Sequence, residues 1–307
     1  TSLFEIMENA YKVVRGVFAG AGSDGLSDEN ICNAVLGLCK GRGKPRILYL
    51  GTATYDLLAP FQRQTGILAQ RGCDIDRLDL VSAEPSQEEV KKKIGDADVL
   101  LVSGGNTLFA MQLWRRLGVD QLLVQAAHEG KILAGGSAGA IAWFDAGHSD
   151  SLDPSSFQAA MTSPDPSEGA DESSSAPACA EDAKQWSYIR VSCLGILPGL
   201  VCPHHDKVQS NGVLRATDFD DMLTRHPTER GLCIDHWAAL VVDNAEYSVV
   251  VADKWDGKGV TPGVTVKDVV DGHVVSRSAG TQGSLYDILK RAESVSPDKR
   301  ELTPPWQ

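Results

Sequence analysis

Short apolar runs rich in β-branched residues alternate along the chain with longer segments in which apolar positions recur at helical spacing. In the amino-terminal half, the predicted strands are residues 13–19, 46–50, 75–80, 98–102 and 131–135. The predicted helices are residues 26–40, 57–71, 107–117 and 120–129, and a further helix begins at Ser86, which has capping-box spacing to Glu89. The alternation predicts an α/β fold with a doubly wound, mostly parallel sheet flanked by helices.

This pattern stops between about residues 145 and 184, where Ser, Asp, Glu, Pro and Ala dominate. Such a segment buries too little apolar surface to offset the entropy lost on ordering, so we expect a flexible acidic insertion at about 146–186. A recognition tail is the rarer alternative.

Regular patterns resume at Tyr188. They predict a helix at 212–225 and strands at 189–191, 200–202, 231–235, 238–242 and 247–251. A last hairpin, turning at Asp271 and Gly272, separates strands 264–267 and 274–277 and completes an antiparallel carboxy-terminal extension. No internal repeat or second domain is seen, so residues 1–307 are expected to form one domain.

Composition and charge narrow the class of protein. The 307 residues include 29 Lys or Arg and 41 Asp or Glu, a formal net charge of -12 that disfavours a nucleic-acid partner. No apolar run approaches the roughly 18 residues of a membrane span, and the first residues lack the features of a signal peptide, so we expect a cytoplasmic protein with no membrane partner. Seven cysteines without a CxxC pair argue against a disulfide framework or a thiolate zinc site. We expect neither metal nor cofactor, and a homodimer is left open.

Residues 135–140, GGSAGA, match the G-x-S-x-G nucleophile elbow and lie between a predicted strand and a predicted helix. The glycines leave room for a cramped turn that would present the Ser137 hydroxyl to solvent, with the amide of Ala138 pointing to the same place. The alternative is a turn of small residues that only packs a helix on a sheet. The flanking strand and helix favour a catalytic serine.

A catalytic serine needs a base and a group that orients the base. His204 follows an apolar strand and Pro203, at a strand end where α/β sheets place their sites, and is the favoured base over its neighbour His205. Asp235, at another strand end, is the favoured partner of the histidine. His236 and Asp145 remain open alternatives.

A second glycine-rich turn, SGGNT at 103–107, follows the strand at 98–102. It lacks the third glycine of a dinucleotide fingerprint and the Lys of a P-loop, so nucleotide binding is disfavoured. The amide of Gly105, together with that of Ala138, would instead form an oxyanion hole.

Four motifs in this order resemble peptidase E, the α-aspartyl dipeptidase, and its relative cyanophycinase: SGGNT at 103–107, GGSAGA at 135–140, CPHHD at 202–206 and GLCID at 231–235. The resemblance implies a class I glutamine amidotransferase-like, flavodoxin-like fold and a serine peptidase that cleaves short peptides after an aspartyl residue. It implies that Ser137 is the nucleophile, His204 the base and Asp235 its partner, with Gly105 and Ala138 binding the oxyanion. The implied substrate-binding residue is Arg215, within a Gly-x-x-Arg stretch. Asn106 and His205 are our further candidates for binding substrate.

The chain departs from that family in two places. The insertion before the histidine is far longer than in the bacterial dipeptidase, and CIDH at 233–236 replaces its Leu-Pro-Glu. A cyanophycinase-like peptidase is therefore an alternative, as is an inactive binding module that keeps only the fold. A glutamine amidotransferase is disfavoured, because its usual elbow nucleophile is cysteine.

Overall fold

A computed structural model describes residues 14–41, 43–162 and 185–289. In these ranges the strands, in chain order, are β1 Arg15–Ala19, β2 Arg46–Leu50, β3 Asp74–Arg77, β4 Val99–Val102, β5 Ile132–Gly136, β6 Phe144–Ser149, β7 Ile189–Ser192, β8 Leu197–Cys202, β9 Gly231–Ile234, β10 Ala238–Asp243, β11 Glu246–Val251, β12 Val264–Val270, β13 His273–Ser278 and β14 Gln282–Ser284. The helices are α1 Ser23–Leu26, α2 Glu29–Leu38, α3 Leu58–Gln70, α4 Gln87–Asp96, α5 Thr107–Leu117, α6 Val119–His128, α7 Ala138–Ile141, α8 Gln158–Met161, α9 Arg215–Arg225 and α10 Leu285–Ile288.

The strands form two sheets. The larger has the order β14-β11-β10-β1-β5-β4-β2-β3 and the smaller the order β13-β12-β9-β8-β6-β7. Neighbouring strands from β1 to β3 run parallel, whereas β10, β11 and β14 add to the other side of β1 in antiparallel fashion. In the smaller sheet, β6, β8 and β9 are parallel. The carboxyl ends of β1, β5 and β4 therefore lie at one edge of the larger sheet.

Both faces of the parallel strands β1, β2, β4 and β5 are buried. Along β1, Val17 belongs to one apolar cluster and Phe18 to another, and the same alternation continues through β4 and β5. Helices α2 and α3 supply the cluster around Val17, whereas α4, α5 and α6 supply the cluster around Phe18. The ring of Phe18 packs edge to face against that of Phe144, which lies in the smaller sheet, with ring centroids 5.1 Å apart. The cluster around Phe18 therefore also joins the two sheets. A fully buried side chain of this size contributes roughly 1.5–3 kcal/mol to the free energy of unfolding.

The predicted α/β class is confirmed, and most predicted strands and helices lie within two or three residues of their observed bounds. Ser86 caps α4 by accepting a hydrogen bond from the Glu89 amide at 3.2 Å, as the capping-box spacing predicted. The doubly wound, flavodoxin-like arrangement stays a prediction, because the chain builds two mixed sheets.

The start of the predicted flexible insertion is structured, which corrects that expectation. β6 crosses its boundary, and residues 154–161 form a short 3-10 helix followed by α8. The polar residues Ser149 and Ser151 are buried here because their hydroxyls bond one another at 2.7 Å. The rest of the predicted insertion, residues 163–184, lies outside the described residues. Across the described ranges, no helix has the length and apolar character needed to cross a bilayer.

Candidate active site

Ser137 occupies a sharp turn between β5 and α7. Its backbone has φ 52° and ψ −114°, a conformation that costs free energy for a residue with a side chain and that is concentrated at functional sites. Glycines make the turn possible: a Cβ on Gly136 would lie 2.1 Å from the Ala21 carbonyl oxygen, and one on Gly139 would lie 2.1 Å from that of Val102. The predicted elbow is therefore present. The side chain is less open to solvent than expected, because Ser137 is only 6% exposed.

The backbones of Ser137 and of His204, the candidate base, are both hydrogen-bonded to the end of β1. The Ser137 amide donates to the Ala19 carbonyl at 3.1 Å, and the His204 amide donates to the next carbonyl, that of Gly20, at 3.0 Å. The two residues are thus anchored to consecutive peptide groups. Between the Ser137 hydroxyl and His204, both within the described ranges, no hydrogen bond is formed; in many enzymes this contact tightens only when substrate binds.

A chain of buried side chains leads away from His204. Its Nδ1 lies 2.8 Å from Nδ1 of His236, and Nε2 of His236 lies 3.2 Å from Oδ2 of Asp24. Asp24 accepts a hydrogen bond at 2.8 Å from Arg63 through its other oxygen. His204, His236 and Asp24 are each at most 4% exposed. We call His204, His236 and Asp24 the relay.

Burial lowers the pKa of His204 well below its ordinary value of 6.5, and the nearby His236, Arg215 and Lys207 lower it further. The ring is therefore neutral at neutral pH, as a general base requires. For Asp24, burial raises the pKa, but the hydrogen bond and electrostatic interaction with the His236 ring and the charges of Arg63 and Lys254 outweigh burial and leave the pKa below 3.8. The relay therefore ends in a carboxylate.

The prediction that Asp235 partners His204 is corrected by the structure. Asp235 Oδ1 lies 3.3 Å from Nδ1 of His205, and its Oδ2 accepts a hydrogen bond from the Gly263 amide at 2.8 Å. Successive side chains in these turns point in different directions, so Asp235 meets His205 while His236 meets His204. Asp145, the other carboxylate considered, accepts a hydrogen bond from the Gly199 amide at 3.1 Å within the smaller sheet.

The two predicted oxyanion donors lie on neighbouring strand ends. Gly105 has φ 113°, and a Cβ there would lie 2.2 Å from the Ala53 carbonyl oxygen, so the loop requires glycine. A Cβ on the preceding residue, Gly104, would lie 3.4 Å from the Gly136 carbonyl oxygen, which places the loop against the elbow. Ala138 is the first residue of α7, where an amide has no acceptor inside its own helix. Their joint role as oxyanion donors stays a prediction.

Comparison with known proteins identifies the family of this chain. The model of peptidase family S51 matches residues 17–165. The uncharacterized peptidase YgaJ of Bacillus subtilis (strain 168) is 30% identical over 217 residues, covering 71% of this chain and 77% of that protein. The chain belongs to peptidase family S51.

Two further similarities extend over most of the S51 chain. A Trypanosoma brucei brucei protein named G2/mitotic-specific cyclin-1 is 27% identical over 304 residues, covering 91% of this chain and 89% of that protein. That name describes the trypanosomal protein and carries no role over to this one. The crystal structure of a peptidase from an acI-B1 Actinobacterium has a TM-score of 0.55 at 18% identity, covering 90% of this chain and 98% of that one, and this likeness shows the fold.

Arg215 of the S51 chain is a buried structural cation, which corrects its predicted role in binding substrate. It is 0% exposed. Its Nη1 donates to Asp150 at 2.9 Å and to the Gln209 side-chain oxygen at 3.1 Å, and its Nη2 donates to the His148 carbonyl at 2.5 Å. Both terminal nitrogens are thus held by the protein itself.

Asn106, another predicted substrate contact, is likewise engaged. Its side-chain nitrogen donates to the Ser151 carbonyl and to the Ser156 hydroxyl, each at 3.0 Å, and its oxygen caps α5 by accepting from the Phe109 amide. Asn106 therefore ties the segment after β6 to the glycine-rich loop. His205, the third predicted contact, is bonded to Asp235 through Nδ1, and among the described residues its buried Nε2 has no partner.

The sequence-based prediction missed Asp24, and His236 was only an open alternative. A signal for Asp24 exists: GAGSDG at residues 20–25 is a glycine-rich turn directly after a strand, of the same kind as SGGN at 103–106. Within the described residues, no group of three or more His, Cys, Asp or Glu side chains is arranged to hold a metal ion.

Proposed function

We propose that this S51 peptidase hydrolyses short peptides after an aspartyl residue, with Ser137 as nucleophile and His204 as general base. The observation that carries the proposal is the strained elbow that holds Ser137 at the end of β1, where the backbone of His204 is anchored to the adjacent carbonyl. We extend the proposal to a single domain with a doubly wound, class I glutamine amidotransferase-like sheet. The parallel order from β1 to β3, with helices on both faces, supports that extension.

The chemistry follows from the placement of these groups. The Ser137 oxygen attacks the peptide carbonyl carbon while Nε2 of His204 takes the hydroxyl proton. The amides of Gly105 and Ala138 bind the oxygen that becomes negative. When the C–N bond breaks, His204 gives its proton to the leaving amine and an acyl-enzyme remains. Water then attacks the ester with His204 again as base, releasing the acid and restoring the serine.

Limited access supports short substrates. Ser137 is 6% and His204 4% exposed, so a folded polypeptide could not reach the hydroxyl without rearrangement. The aspartyl preference rests on the family resemblance and requires a cation. Because both terminal nitrogens of Arg215 are engaged, Lys207, whose charge also acts on His204, is our candidate for the substrate carboxylate.

Labelling with a fluorophosphonate probe tests the nucleophile. The wild type should be modified at Ser137 and should hydrolyse Asp-linked chromogenic dipeptides faster than their Asn-linked counterparts. Ser137→Ala should abolish both reactions while the melting temperature stays close to that of the wild type. A wild type that is neither labelled nor hydrolytic would favour the binding-module alternative. Labelling without preference for Asp would retain the serine peptidase and reject the specificity.

Lys207→Met tests the specificity separately. The Michaelis constant for Asp-linked dipeptides should rise at least tenfold, while the rate of Ser137 labelling stays within a few-fold of the wild type. An unchanged Michaelis constant would remove Lys207 from the substrate site and leave the nucleophile untouched.

A further inference from the structure

We propose that His236 and Asp24 are positioning residues that hold His204 in the tautomer whose Nε2 is free to accept the Ser137 proton. The inference rests on the serine-peptidase function proposed above and names the residues that replace the expected Asp235 in orienting the base. It is carried by two contacts, the ring-to-ring contact at 2.8 Å and the ring-to-carboxylate contact at 3.2 Å.

Counting protons along the relay assigns each tautomer. A carboxylate only accepts hydrogen bonds, so the His236 nitrogen that faces Asp24, Nε2, must carry a proton. A neutral imidazole has one N–H and one lone pair, so Nδ1 of His236 is then an acceptor. The proton between the two rings therefore belongs to Nδ1 of His204. That assignment leaves the lone pair of His204 on Nε2, where a base is needed.

A doubly protonated His236 would give the opposite result. Such a cation would donate from Nδ1 to His204 and force the proton of His204 onto Nε2, which destroys the base. The positive charges of Arg215 and Lys207 act on the His204 ring from one side. On the other side, Asp24 already pairs with Arg63 at 2.8 Å, and its backbone carbonyl accepts a hydrogen bond from Lys254 at 3.3 Å. A second carboxylate, that of Asp206, accepts a hydrogen bond from the His236 backbone amide at 2.7 Å.

Burial stabilises the Nε2–H tautomer of His236. His236 is 0% and Asp24 2% exposed, so bulk water does not compete for either ring nitrogen of His236. The ring is also held edge-on against the Trp237 ring at 4.5 Å, which restricts its rotation. The Asp24 carboxylate at one end of the buried relay thus determines which ring nitrogen of His204 carries the proton at the other end.

Asp24→Asn is the sharpest test, because it keeps the shape of the side chain and reverses the polarity of its contact with His236, while its remaining oxygen can still accept from Arg63. The new amide can donate to Nε2 of His236, which moves that ring's proton to Nδ1 and the proton of His204 to Nε2. We expect the rate of Ser137 labelling and kcat to fall about 10²-fold, less than the roughly 10⁴-fold loss known for a carboxylate that touches the base directly. KM should change less than threefold. The pH profile of labelling should also change, because the resting His204 ring would no longer hold its lone pair on Nε2.

Asp235→Asn is the matched control. It makes the same substitution in the neighbouring carboxylate, which bonds His205, and labelling should stay within about threefold of the wild type. Equal labelling rates for the two variants, with unchanged pH profiles, would overturn the inference even if Ser137 is confirmed as nucleophile. A larger loss for Asp235→Asn than for Asp24→Asn would also overturn it.

Nitrogen-15 NMR of histidine-labelled wild-type protein gives a measurement that needs no variant to fold. We expect the shifts of His204 to report an Nδ1–H tautomer and those of His236 an Nε2–H tautomer at neutral pH. A protonated Nε2 on His204 would refute the relay. A wild type that shows the expected tautomers but is not labelled by the fluorophosphonate would instead refute the proposed function and leave the proton assignment standing.

Discussion

Replacing Arg215 by methionine should destabilise the protein far more than a surface substitution would. The guanidinium is fully buried, and its removal takes a donor from the Asp150 carboxylate, the His148 carbonyl and the Gln209 oxygen, of which Gln209 still accepts from the Tyr188 hydroxyl. Removing one partner of a buried ion pair costs about 3–5 kcal/mol. The Asp150 side chain is 20% exposed and can recover some hydration, so we expect a value near the lower end, about 3 kcal/mol.

That free energy converts to a melting-temperature shift. Unfolding entropy is about 2.1 cal/mol/K per residue near 60 °C, which for 307 residues is about 0.6 kcal/mol/K. Arg215→Met should therefore lower Tm by about 5 °C in a calorimetric scan. Arg71→Met is the control, because its ion pair with Glu29 has both side chains 47% exposed and should contribute less than about 1 kcal/mol.

Asp150 allows a check on the cause. Because the carboxylate left unpaired carries much of the cost, adding Asp150→Leu to Arg215→Met should recover part of the stability, so the two effects would not add. The reasoning would be wrong if Arg215→Met melted like Arg71→Met. It would also be wrong if its main effect were a higher Michaelis constant for Asp-peptides, since Arg215 would then face the substrate.

Two further predictions concern the elbow and the base. Gly139→Ala places a methyl group 2.1 Å from the Val102 carbonyl oxygen, so it should lower the free energy of unfolding by about 1–3 kcal/mol and slow the labelling of Ser137. The control, Gly66→Ala in α3, adds a methyl group with nothing within 4 Å and should leave Tm equal or higher. Similar melting of the two variants would contradict the close packing at Gly139. The pKa of His204 lies below 6.5 in the folded protein, so the unfolded chain binds more protons at acid pH. The contribution of the neutral His204 ring to the free energy of unfolding is therefore fully present above pH 6.5 and is lost as pH falls from 6.5 towards the folded pKa. Urea unfolding of the wild type and His204→Gln should show a steeper loss for the wild type between pH 7.5 and 5.5, and parallel curves would refute it. The groups that depress this pKa besides burial are His236, Arg215 and Lys207.

Local patterns were sufficient for the elbow and for most of the sheet. The strands β1, β2, β4 and β5 are buried on both faces and so appear as largely continuous apolar runs. The turn after β5 needs small residues on both sides of Ser137, and that requirement is visible in six consecutive letters of the sequence. His204 could be favoured because it follows the apolar strand β8.

The orienting residues could not be found in this way, because they depend on contacts between distant segments. Asp24 and His236 are 212 residues apart and meet only because β10 pairs with β1. The choice of Asp235 over His236 was wrong by one position, since which side chain of a turn points inward depends on the backbone angles there.

The strand β6 was missed for a different reason. Its sequence FDAGHS contains few apolar residues, yet it is buried because it lies between β7 and β8 and because its polar groups find partners. Ser149 bonds the Thr107 hydroxyl at 3.1 Å, and His148 bonds Asp218 at 2.8 Å. Apolar content predicts strands that bury apolar side chains, but it does not predict a strand whose buried side chains are polar and hydrogen-bonded to one another.

The pairing of β1 with β10 has a consequence for the newly made chain. The ribosome synthesises the serine turn first, the imidazole that would activate it comes later, and the ring proposed to orient that imidazole comes later still. At 5–20 residues per second, the 212 residues between Asp24 and His236 take about 10 to 40 s to translate. If the proposed roles hold, a nascent or prematurely terminated chain that lacks these rings carries an inert alcohol, and hydrolytic activity arises only once β10 has paired with β1.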